Sequence, residues 1–169
     1  MRSKIILFVF ANFILSAIVF TRYAYAATTA AVTATVTVQN ISVSVADGTV
    51  AYGSLATNSS AGTNGTDTQT ATNNGNVAED FTIKGQNSAN WTLDSTNSTT
   101  DHYIHRFCTS SCASPPTSYT ALTTSFQSLG SGNVAANGTQ TFDLYITTPQ
   151  TSSVFTQQSV DITVQAAIH

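Results

Sequence analysis

From residue 27 onward the chain never sustains a helical period. Apolar residues instead recur at every second position, in short runs bounded by Asn, Gly, Asp and Ser. That is the pattern of half-buried β-strands. The first two runs conflict with each other. In VTATVTV the apolar residues Val32, Val36 and Val38 fall on even numbers, with threonines between them. In ISVSV, Ile41, Val43 and Val45 fall on odd numbers. One flat strand would turn its apolar side chains from one face to the other across Gln39-Asn40. Either a bulge or turn lies there, or residues 27–38 serve a different sheet from residues 41–45.

The remaining runs follow the same grammar. After the Asp47-Gly48 turn comes TVAYGSL with Val50 and Tyr52, and then ATNSSAGTNGTD (56–67), a polar loop rich in turn formers. TQTAT reads as a strand, and Asn73-Asn74-Gly75-Asn76 is the strongest turn signal in the chain. DFTIKG sets Phe81 and Ile83 on one face, and WTL does the same for Trp91 and Leu93. Residues 102–108 are strand-like, and SYTALTTSFQSL carries its apolar residues less regularly. TFDLYIT aligns Phe142, Leu144 and Ile146, and SVDITVQAAI aligns Val160, Ile162, Val164, Ala166 and Ile168. About nine short strands at this spacing predict an all-β fold, a single antiparallel immunoglobulin-like β-sandwich. A closed β-barrel is the alternative, because both architectures hide strand edges.

The N-terminus sets the compartment. Arg2 and Lys4 precede an apolar run from Ile5 to Phe20, and Ala24-Tyr25-Ala26 offers small residues at the positions a signal peptidase reads. Residues 1–26 therefore read as a secretory signal peptide, leaving residues 27–169 as one β-sandwich domain, secreted or at the cell surface. The run is short for a bilayer span, and no membrane span is expected in the mature chain. Cleavage would leave Lys84 and Arg106 against eight acidic residues, a net charge of −6. That balance repels phosphate backbones and argues against nucleic acid as a partner.

TNNGNVAEDFTIKG and ANGTQTFDLYITTP together resemble the turn-then-strand units of immunoglobulin-like modules in bacterial surface proteins. Asn90-Trp91-Thr92-Leu93 is also similar to the Trp-x-Leu signature of the WxL cell-wall-binding proteins of Gram-positive bacteria. Members of that family usually carry a second such motif near the C-terminus, and this chain has a single tryptophan. The resemblance implies an extracellular β module and says nothing about catalysis.

DHYIHRFCTSSCASPP (101–116) concentrates the chemically active residues. His102, His105, Cys108 and Cys112 are zinc-ligand types. On a strand, however, His102 and Cys108 point one way and His105 the other. Cys108 and Cys112 are the only cysteines of a chain read as exported, so a disulfide is expected in place of a metal site or a thiolate nucleophile. No G-x-S-x-G occurs, no calcium loop occurs, and Glu79-Asp80 reads as a pair of solvated edge charges. No catalytic residue, metal or cofactor is expected. Six N-x-[S/T] sequons, at Asn40, Asn58, Asn64, Asn90, Asn97 and Asn137, are glycan acceptors only in a host with the machinery.

Two functional expectations follow. The first is a structural surface protein, a subunit of a fibre, coat or matrix. It would self-assemble through the N-terminal strand, which has a neutral, Thr-rich surface and a parity that does not match the next strand. The second is a monomeric module for a glycan or cell-wall polymer. Its aromatic contact would be Tyr145, on the polar face of TFDLYIT, while Trp91 is expected in the core.

Overall fold

Ten strands and no helix form among the described residues, 28–113 and 115–169 of a computed structural model. The predicted signal peptide, residues 1–26, lies outside them. The chain divides into two compact units, Met1–Thr37 and Val38–His169, and the second holds every strand. These are β1 (Val43–Ala46), β2 (Ser60–Gly62), β3 (Gln69–Asn73), β4 (Glu79–Lys84), β5 (Thr92–Leu93), β6 (His102–Cys108), β7 (Thr120–Ala121), β8 (Gln127–Ser128), β9 (Thr139–Thr147) and β10 (Thr163–Ile168). No helix among the described residues is long and apolar enough to cross a membrane.

β9 is the spine of the larger sheet. One edge takes β3 along Thr139–Phe142 and β2 along Tyr145–Thr147, and the other takes β6 along Asp143–Thr147. β1 extends this sheet beyond β3, and β5 and β7 pair with β6. The smaller sheet has the order β10-β4-β8. Pairing is antiparallel except for the short β5–β6 contact, which is parallel. The two sheets share one core: Ala71, Phe107, Phe142 and Leu144 from the larger, Phe81 and Ile83 from the smaller, closed by Leu122 and Leu129. The period-two reading of DFTIKG and TFDLYIT therefore identified the inward faces correctly.

Three local readings are revised. β2 forms inside the segment read as polar loop, because Ser60–Gly62 continues the β3 edge of β9 before residues 63–68 loop out. That excursion is fixed by the buried Asp143 carboxylate, which accepts from the Thr63 hydroxyl (3.3 Å) and the Thr68 hydroxyl (2.6 Å). Glu79 is fully buried rather than a solvated edge charge: Oε1 accepts from the Ser42 amide at 2.9 Å, and its backbone pairs with Val134 in both directions. Residues 28–42 form no strand, so the regular Thr/Val run is not part of either sheet.

The Asn73–Asn76 turn is present, but it carries the chain from one sheet to the other. Asn73 is buried at its centre. Its side-chain amide donates to the Val77 and Val134 carbonyls at 2.8 Å each, and its Oδ1 accepts from the Gly75 amide at 2.7 Å. A Cβ at Gly75 would collide with the Asn40 carbonyl and the Glu79 carboxyl, so the turn needs glycine there. Asn73→Ala leaves the Val77 carbonyl and the buried Gly75 amide without this partner and takes one of two donors from the Val134 carbonyl. It is expected to cost about 2–4 kcal/mol in urea unfolding, and a loss below about 1 kcal/mol would show that the turn does not join the sheets energetically.

Candidate assembly surface

Val38 and Asn40 are tied to the inter-sheet turn. The Asn40 amide donates to Asn76 Oδ1 (2.8 Å), the Asn76 amide to the Asn40 carbonyl (3.1 Å), and Asn76 Nδ2 to the Val38 carbonyl (2.9 Å). The chain is thus held where the parity of its apolar residues flips. N-terminal to that point the valines are open: Val32 is 93% exposed, Val36 90% and Val38 79%. A run with ideal strand alternation and no strand of its own is the most unusual feature of the sequence.

The margins of the two sheets are also incompletely covered. The core-directed residues of β1, Val43 and Val45, are half-buried, and so are Val164 and Ala166 on β10 and Ile162 just before it, while Ile168 is 51% exposed. On β4, next to β10, the corresponding residues Phe81 and Ile83 are fully buried. β1 and β10 are in contact with each other. The best apolar alternation in the C-terminal half therefore lies on a flank that the chain itself does not finish.

The chemically active residues of 101–116 resolve into separate structures. Cys108, at the end of β6, is disulfide-bonded to Cys112, with their Cα atoms 5.7 Å apart. His105 is buried on the opposite side of the strand. Its Nε2 lies 2.8 Å from the Tyr52 hydroxyl, and its ring is tilted against Tyr103 at 6.3 Å. Desolvation lowers its pKa to about 4 and keeps the ring neutral near pH 7. His102 stands apart, 3.4 Å from Asp94. Asp94 is lowered to about 2, chiefly by the Thr96 amide and next by the Asn97 amide. Asp101 is lowered by Ser153, whose hydroxyl and amide it accepts at 2.6 and 2.8 Å. Among the described residues, no three His, Cys, Asp or Glu side chains are placed to hold a metal ion.

Tyr145 is half-buried. Its ring packs on Tyr119 at 5.5 Å, and Gly62 opposite it on β2 leaves room for the ring. Trp91 is likewise half-buried, outside the main core: it tilts onto Tyr103 and donates its indole N–H to Ser152 at 3.0 Å. The exposed rings among the described residues are Phe126, against Lys84, and Phe155, 86% exposed in the loop before β10. Phe126 was read only among the irregular apolar residues of SYTALTTSFQSL, and Phe155 drew no notice because it belongs to no alternating run. An open groove of about 590 Å³ lies beside the disulfide loop, lined by Thr109, Ser110, Gln127, Ser128 and Gln140 with Phe107. No family model, curated protein or solved structure matches this chain.

Two outcomes are expected from this geometry. His105 is protonated more easily unfolded than folded, so the unfolded chain binds more protons between about pH 4 and 6.5. Stability should therefore fall as pH drops through that window, by on the order of 3 kcal/mol. The lowered carboxylates act only below about pH 4. His105→Gln should flatten the upper window alone; urea midpoints that keep the same slope there would assign it to another group. Replacing both cysteines by alanine opens a loop closed across a sequence separation of 4 and should cost no more than about 2 kcal/mol. Thermal unfolding that shows no folded state would give the bridge a far larger role.

Proposed function

We propose that this chain is an exported, non-enzymatic structural subunit, an immunoglobulin-like module that assembles with copies of itself through its N-terminal segment. The observation that carries the reading is the exposure of Val32, Val36 and Val38 on a segment outside both sheets. Apolar residues on alternate positions gain nothing in water; they gain when an edge supplies backbone partners and an apolar face. Threonines on the other face give such a strand solubility without charge. Export is supported by the N-terminal layout and by the disulfide, which persists in oxidising compartments. The immunoglobulin-like assignment is supported by two sheets enclosing one core and by the turn-then-strand motifs.

Recognition of a glycan or cell-wall polymer ranks second. The groove beside the disulfide loop supports it with amides and hydroxyls. Against it, Phe107 in that lining is buried, and Tyr145 is already packed on Tyr119.

The test compares residues 27–169 with a version lacking residues 27–37, which retains the whole Val38–His169 unit. Size-exclusion chromatography and electron microscopy should show fibres or higher oligomers that vanish with the truncation. A monomer in both cases sinks the structural-subunit reading.

A further inference from the structure

We infer that the acceptor in this assembly, which rests on the self-association proposed above, is the free edge of β10: residues 32–38 of one copy add as a strand beside Thr163–Ile168 of the next.

Four properties of β10 single it out. The first is its free backbone. β10 is the outer strand of the smaller sheet, paired on one side with β4. The His169 amide donates to the Ala78 carbonyl, in register with the ladder. Hydrogen-bonded pairs alternate along an antiparallel ladder. Residues 163, 165 and 167 therefore bond toward β4, and the N–H and C=O groups of Val164, Ala166 and Ile168 face away from it. The second is length. β10 has six residues, against four for β1 and two each for β5 and β8, so it alone among these outer strands matches a seven-residue donor. The third is the absence of guards. Edge strands are normally blunted by charge or proline, and TVQAAI holds neither. The fourth is the unfinished apolar face. Val164 and Ala166 are half-buried and Ile168 is open. A strand added at this edge with its even-numbered residues inward would set Val32, Ala34, Val36 and Val38 beside them and leave its threonines outward. Parity, length and neutrality thus agree between the exposed segment and the exposed edge.

The test uses the exported chain, residues 27–169, in three forms. Ala166→Pro removes a free-edge N–H without removing a bond to β4, a placement that an outer strand tolerates. Ile168→Lys places a charge where the donor valines would lie, at a position that is already exposed. Both variants should keep the wild-type circular dichroism and weaken assembly at least tenfold in sedimentation. Ala166→Pro mixed with the form lacking residues 27–37 should give a one-to-one dimer, since one copy keeps the donor and the other the acceptor. Should Ala166→Pro fail to fold, Ile168→Lys decides by itself. Assembly of wild type and both variants alike, with the truncated form monomeric, overturns β10 as acceptor and leaves self-association standing. A monomeric wild type overturns both.

Discussion

Both edges of β9 are occupied, and the larger sheet depends on that. A nine-residue strand flanked by β2 and β3 on one side and β6 on the other provides the continuous ladder onto which short pieces are added. Its inward residues Phe142 and Leu144 reach the core, and its outward residues are covered as well, Asp143 by the 63–68 excursion and Tyr145 by Tyr119. With Phe142, Asp143 and Leu144 buried, the middle of β9 sits where exchange with water is expected to be slow.

The second joint is the polar plug around Asn73. A turn between two sheets leaves backbone groups facing inward, where an unpaired carbonyl or amide costs about 1–3 kcal/mol. One asparagine side chain meets three of these groups, Gly75 opens space for the Asn40 carbonyl, and Glu79 Oε1 takes up the Ser42 amide. The same plug holds Val38 and Asn40, so the C-terminal end of the N-terminal segment is fixed by the element that joins the sheets. Charge has little part in this fold. Among the described residues the salt-bridge contacts are two His–Asp pairs on partly exposed side chains, charged on both partners only when the histidine is protonated, and exposed pairs of this kind contribute little to stability.

Alternation made the inward faces of β4 and β9 legible, because a side chain on a strand has two directions and the apolar set chooses one. The Cys108–Cys112 bridge was legible from the number of cysteines and the expectation of export. Other features depended on contacts distant in sequence. Nothing in Ser60-Ala61-Gly62 announces a strand; it becomes one because β9 offers an edge and Gly62 admits the Tyr145 ring. Glu79 looked like a surface charge because its partner, the Ser42 amide, is a backbone group with no sequence signature. The error at residues 32–38 was of a different kind. The alternation is that of a strand, but a strand exists only where backbone partners are supplied, and residues 28–42 form none.

That mismatch bears on which kind of partner the segment requires. Ordering seven backbone residues costs roughly 7–14 kcal/mol. Burying three valines returns roughly 5–9 kcal/mol at best. An apolar patch on some other surface would supply only the second quantity and would leave part of the ordering cost uncovered. A sheet edge supplies ladder hydrogen bonds as well, each worth about 1 kcal/mol net, and it also withdraws its own half-exposed residues from water. The threonines enforce the same choice, since their β-branched side chains suit the pleated surface of a sheet. These terms favour a strand edge with an uncovered apolar face as the partner of residues 32–38, which is the kind of edge proposed above for β10.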